Sequence, residues 1–233
     1  MIGERLMTRL QTPLIAINFK TYPQATGERA VQLAKVCEKA SREYGVSIVV
    51  APQTADLYRV TSSVDIPVFS QHMDPGEPGR FTGHTLGEAL VASGCKGTLL
   101  NHSEKRMQLA DIEEAVRTAD RLKLSTIVCT NNPSVSVAAA SIQPTAVAVE
   151  PPELIGSGIS VSKAQPEIIT GTVAKIRAVN RDVVILCGAG ISTGDDIVAA
   201  IRLGSQGVLL ASAVAKSDKP EVALKSLIAP LRR

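Results

Sequence analysis

A chain of 233 residues that is 45% apolar, with 17 glycines and 13 prolines, can bury roughly 70 to 75% of its extended surface around one core, which excludes a disordered or fibrous protein. Its 25 basic and 22 acidic residues leave a formal net charge of +3 spread along the chain, too mild a balance to imply nucleic acid or a membrane surface as partner. No run of about 20 apolar residues could span a bilayer, and Cys37, Cys95, Cys129 and Cys187 are too far apart for a disulfide framework or a thiolate zinc site, so a reducing cytoplasm is the expected location.

The first eleven residues, MIGERLMTRLQ, hold neither a sustained apolar region nor a small-residue cleavage site, and are expected to form a loosely ordered extension to one domain covering residues 1–233. Beyond them, apolar runs predict strands at Leu14–Phe19, Val46–Val50, Ile66–Ser70, Gly97–Leu100, Ser125–Cys129, Ala146–Val149, Val183–Cys187 and Gly207–Leu210. Helical spacing appears between several of them, over Glu28–Tyr44, Asp111–Leu122, Ala164–Val179, Asp195–Leu203 and Glu221–Ile228. In the first, Ala30, Leu33, Ala34, Cys37 and Ala40 share one face while Arg29, Lys35, Lys39 and Arg42 look outward. Strand and helix alternation requires crossover connections and parallel pairing. Eight strand candidates suit a closed (β/α)8 barrel, compact and with some helices shortened, better than an open sheet. The connection Gln71–Ala89 carries Asp74-Pro75-Gly76-Glu77-Pro78-Gly79 and reads as a projecting loop. With no tryptophan and 3% aromatics, the core must be built of Val, Ile, Leu and Ala.

The polar groups at the ends of these runs carry the chemistry. The first run finishes Asn18-Phe19-Lys20, and strand alternation puts Asn18 and Lys20 on one side. They fit either a solvated strand end or a pocket where a lysine stabilises charge developing on an oxygen. After the fourth run, Asn101 or Ser103 could cap a short helix with Glu104 in its first turn. The helix dipole would then hold His102 neutral, able to donate to a carbonyl. The sixth run ends in Glu150, followed by Pro151-Pro152 and by Gly156 and Gly158. That is a helix-capping carboxylate, or a buried base attached to a hinged lid. The last two runs end in CGAGIS, residues 187–192, and in Ala211-Ser212, where backbone amides of a turn and a helix start could hold a phosphate. His72, His84 and His102 form no short metal-binding motif, and no redox centre, metal or cofactor is called for.

Taken together, NFKTY, FTGH, LLNHSEKR, VEPPELIGSG, CGAGIS and GVLLASAV resemble, in order, the motifs of the triosephosphate isomerase family in its compact archaeal form, from about Leu14 to Pro230. The resemblance implies a TIM barrel that interconverts dihydroxyacetone phosphate and D-glyceraldehyde 3-phosphate through an enediol(ate), in glycolysis and gluconeogenesis, without a cofactor. It assigns substrate binding to Asn18 and Lys20, the electrophile to His102, the base to Glu150 and a supporting role to Glu104. Phosphate contacts fall to Ile155, Gly156 and Ser157 of the lid, to Gly190, and to Ala211 and Ser212. Thr82 matches a threonine that reaches toward a partner's active site, which implies a homodimer or homotetramer. The chain departs from the larger members in having Leu154 and no lid tryptophan, Ser157 for threonine, Ala211-Ser212 for paired glycines, and Asn101 for glycine. The competing readings are another phosphate-binding barrel, such as a synthase or a sugar-phosphate epimerase, which if metal-dependent needs convergent His and Asp ligands, and a catalytically silent barrel that binds metabolites or partners, which should lack one of Lys20, His102 or Glu150.

Overall fold

Each of the eight apolar runs forms a strand, and alternation along them sorts the side chains into two cores. The computed structural model describes residues 10–151 and 166–232. The strands are β1 (Leu14–Asn18), β2 (Ser47–Ala51), β3 (Phe69–Ser70), β4 (Gly97–Leu100), β5 (Ser125–Thr130), β6 (Ala146–Val149), β7 (Val184–Cys187) and β8 (Gly207–Leu210). All pair in parallel, in the order β2-β1-β8-β7-β6-β5-β4-β3. The ring closes between β2 and β3 through one bridge, Val50 to Val68.

Leu14, Ala16, Val49, Phe69, Leu99, Ile127, Cys129, Ala146, Ala148, Val184, Leu186 and Leu209 fill the inside of the barrel. The alternate residues, among them Ile15, Ile17, Ile48, Val128, Val147, Ile185 and Val208, pack outward against the helices. This period-two division is what a parallel sheet covered by a ring of helices requires.

Around the sheet lie α1 (Glu28–Tyr44), α2 (Leu57–Thr61), α3 (Gly87–Ala92), α4 (Leu109–Arg121), α5 (Pro133–Ser141), α6 (Pro166–Val179), α7 (Gly194–Arg202), α8 (Ser212–Ala215) and α9 (Pro220–Ile228). The expected apolar face of α1 is buried, and its basic residues are exposed. Helix α7 opens on a capping box in which Thr193 accepts from the Asp196 amide and Asp196 accepts in return from the Thr193 amide.

Two expectations are adjusted. In the third run the regular ladder to β4 is limited to Phe69 and Ser70, with Val68 making only the single bridge to Val50, because Pro67 has no N–H to give a neighbouring strand. Helices α2, α3, α5 and α8 have no counterpart in the helical spacing. Helix α5 is built of small residues, serines among them (PSVSVAAAS), and packs against α6, β5 and β6, so it shows no one-sided apolar stripe. Its start is nevertheless written in Asn132-Pro133: the Asn132 carboxamide oxygen accepts from the Val135 amide at 2.9 Å.

Candidate active site

The inward parity of the strands continues past their carboxyl ends and turns polar. Asn18, Gln71, Asn101, Glu150, Gly188 and Ala211 stand two residues beyond Ala16, Phe69, Leu99, Ala148, Leu186 and Leu209, so the apolar barrel is topped by a layer of four polar side chains and two small residues. Asn18, Lys20, His102, Glu150, Gly190 and Ser212 line one cavity of about 270 Å³.

Lys20 takes a φ of 47°, a left-handed conformation rare for a lysine, and the surroundings fix it there. Its amide donates to Asn18 Oδ1 at 2.8 Å and its carbonyl accepts from Gln71 Nε2 at 2.9 Å. Its ammonium, directed by this backbone, donates to Glu104 Oε1 at 2.8 Å. Asn18 thus serves Lys20 through the backbone, and Glu104 serves it through charge.

No helix begins at Asn101: residues 101–108 form turns, and α4 starts only at Leu109. The anticipated cap and dipole are therefore replaced by other causes. Burial pushes the His102 pKa below its usual value, with Lys20 and Arg106 adding to the effect and Glu104 opposing it. The Glu104 backbone N–H donates to His102 Nδ1 at 3.2 Å, which makes Nδ1 the acceptor and leaves the ring proton on Nε2. Nε2 faces Glu150 Oε1 across 3.7 Å.

Glu150 follows β6, its amide donating to the Thr130 carbonyl at 2.7 Å. Its carboxyl is buried, and desolvation pushes its pKa up to about 7, against the opposing influence of the neighbouring Cys129 thiol, Lys20 and Arg106. Oε2 has no hydrogen-bond partner among the described residues. A carboxylate with a free oxygen, titrating near neutrality opposite a neutral imidazole N–H, is equipped to take a proton while the ring stabilises an oxyanion. Gly188 makes the room: a Cβ there would lie 2.4 Å from Glu150 Cγ.

On the far wall, Gly190 has a φ of 69° and turns the chain toward the cavity, while Ser212 begins α8 directly after β8. A larger hollow of about 1030 Å³ lies at the other end of β2 and β3, where the charged groups Glu38, Arg42 and Asp65 are paired with one another.

Residues 13–229 match the triosephosphate isomerase family. The chain is 54% identical to the triosephosphate isomerase of Methanocaldococcus jannaschii, over 92% of this chain and 98% of that protein. It is also 54% identical to the triosephosphate isomerase of Methanothermobacter thermautotrophicus, over 93% and 95% of the two chains. The chain belongs to the triosephosphate isomerase family. The triosephosphate isomerase of Methanosarcina acetivorans, 52% identical over 93% of this chain and 98% of that protein, belongs to the same set of relatives.

Of the family positions expected from the motifs, Asn18, Lys20, His102, Glu150, Gly190, Ala211 and Ser212 meet at the cavity, with Glu104 behind Lys20. Ile155, Gly156 and Ser157 lie outside the described residues. Thr82 is exposed on the projecting loop, away from its own chain's cavity. That loop is closed at its neck by two hydrogen bonds between Asp74 and Thr85, at 2.9 and 2.7 Å, and His72 Nε2 holds the same Asp74 carboxylate at 2.9 Å.

Gln71 and Cys129 were not marked by the motifs, while Gly188 was marked only as part of CGAGIS and Asn101 only as a cap. Extending strand alternation one step beyond each apolar run reaches Gln71, Asn101 and Gly188. Cys129 enters the sequence reading only as one of four widely spaced thiols, and its nearness to Glu150 depends on the β5–β6 register.

Proposed function

We propose that this chain interconverts dihydroxyacetone phosphate and D-glyceraldehyde 3-phosphate, with Glu150 as base and neutral His102 as electrophile. Glu150 takes a carbon-bound proton and returns it to the neighbouring carbon of the enediolate. The Nε2–H of His102 and the ammonium of Lys20 stabilise the negative charge that develops on oxygen. The turn at Gly190 and the first amides of α8, with Ala211 and Ser212, are suited to the phosphate dianion, and Ile155, Gly156 and Ser157 would close over it.

The observation that carries this reading is the facing pair: a buried carboxyl with a pKa near 7 and an imidazole N–H 3.7 Å from it, both opening on one cavity. Purified protein given D-glyceraldehyde 3-phosphate should form dihydroxyacetone phosphate, followed through an NADH-dependent dehydrogenase. Glu150→Gln should lose about 10²- to 10⁴-fold in turnover. A wild-type protein with no isomerase activity would remove the proposal.

Self-association as a homodimer or homotetramer through the loop carrying Thr82 is part of the same reading, supported by the exposed Phe81 at its tip and the braced neck. A cytoplasmic setting is supported by four buried, free cysteines. No helix among the described residues is long and apolar enough to cross a membrane.

A further inference from the structure

We infer that Asn101 is a positioning residue for the reaction, a side-chain tie that fixes the distance between the electrophile loop and the strand edge holding the base. The inference rests on the assignment of His102 and Glu150 above. Asn101 is 5% exposed and takes a φ of 56°, which asparagine tolerates better than other residues with a Cβ. Both ends of its amide are used. Nδ2 donates to the Cys129 carbonyl at 2.9 Å, and Oδ1 accepts from the Met107 amide at 2.9 Å. One partner can only accept and the other can only donate, so the amide has one orientation.

The two contacts join segments that carry the chemistry. Met107 closes the loop 102–106, which holds His102, Glu104 and Arg106, and Arg106 Nη1 returns to the Asn101 carbonyl at 3.3 Å. Cys129 lies on β5, where its thiol neighbours the Glu150 carboxyl and the next residue, Thr130, accepts from the Glu150 amide at 2.7 Å. Asn101 is also bonded directly to His102 in the chain. A shift of the His102 loop away from β5 must break the Nδ2 bond, and a loosening of the loop must break the Oδ1 bond. With only 3.7 Å separating His102 Nε2 from Glu150 Oε1, a displacement of 1 Å at either side changes the reacting geometry, a misplacement on the order of 10²-fold in rate.

Two substitutions separate the contacts. Asn101→Asp keeps the Oδ1 acceptor and tolerance of positive φ but sets a carboxylate oxygen against the Cys129 carbonyl. Asn101→Gly relaxes the backbone and removes both bonds. In the coupled assay, with wild type active, kcat should fall about 10- to 100-fold in both variants. KM should stay within about threefold, and inhibition by inorganic phosphate within about twofold, because the phosphate wall is untouched. The alkaline-rising limb of the kcat profile should also move in Asn101→Asp, through the new negative charge set against β5 at Cys129. Turnover within threefold of wild type in both variants would overturn the inference. So would a KM that rises in step with the loss, or a failure of Asn101→Gly to fold, since either makes the residue a general structural element. An inactive wild type, by contrast, would overturn the assignment on which the inference rests.

Discussion

The Cys129 thiol neighbours the carboxylate of Glu150, and it is the strongest of the influences that restrain a pKa otherwise raised by burial. The base is thus held near neutrality by a balance between desolvation and a few neighbours, and its titration can be followed in both rate and stability.

In the unfolded chain Glu150 ionises near 4.5, and in the native protein near 7. The base works only when ionised, so kcat/KM should rise with pH, bend near 7 and level above it. His102, its pKa lowered from the usual value by burial, is neutral at and above the bend near 7. Between 4.5 and 7 the native state keeps a proton that the unfolded state has lost, so native stability should fall as pH rises, by at most about 1.4 kcal/mol per pH unit. Denaturant titrations of wild type and Glu150→Gln across pH 4.5 to 8 should show the variant gaining on wild type up to about pH 7 and no further. A constant difference between the two would contradict a raised pKa.

Gly188→Ala places a methyl 2.4 Å from Glu150 Cγ, at the root of the side chain where no rotation of the carboxyl relieves it. The expected cost is about 1 to 3 kcal/mol of stability from overpacking and on the order of 10²-fold in kcat from displacement of the base. Thermal unfolding and steady-state kinetics on the same preparation test both. An unchanged kcat would mean that the strand yields in place of Glu150.

Lys20→Met should cost about 10²- to 10³-fold in kcat/KM, the range for loss of one preorganised donor, and more in kcat than in phosphate affinity if its main role is at the oxyanion. Glu104→Gln keeps an acceptor for the ammonium and the backbone N–H to His102, so a loss of about tenfold or less is expected. A loss in Glu104→Gln equal to that in Lys20→Met would show that the carboxylate charge, rather than the lysine, sets the rate.

The neck of the projecting loop depends on Asp74, which accepts from both the Thr85 amide and His72. Asp74→Ala should weaken self-association at least tenfold while leaving the barrel folded, measured as solution mass across a dilution series with circular dichroism alongside. An assembly equally resistant to dilution would place the interface elsewhere.

The eight strands were legible because parallel strands covered on both sides are written as continuous apolar runs, and seven of them needed boundary shifts of no more than one residue. The third was over-read, since an apolar pattern does not show that Pro67 withholds an N–H. Lys20, His102 and Glu150 could be located because each follows such a run. The state of His102 was mistaken in cause: Asn101-His102-Ser103-Glu104 has the composition of a helix start, whereas the Asn101 amide is already committed to Cys129 and Met107. Contacts made across neighbouring strands leave no local pattern, which is why Cys129 went unmarked, whereas Gln71 lies one alternation step past its run.

The barrel's single Val50–Val68 bridge has a counterpart at its catalytic rim. There Gln71 Nε2, just beyond β3, donates to the Ala51 carbonyl that ends β2, at 3.0 Å, as well as to Lys20. One side-chain amide spans a join that backbone pairing leaves nearly open, and it does so while gripping the lysine of the site. Amide hydrogen exchange should therefore be fastest, among the strands, along this join, and Gln71→Ala should speed it there and lower kcat together. The place where the cylinder most readily comes apart is also where catalysis would report the first loosening.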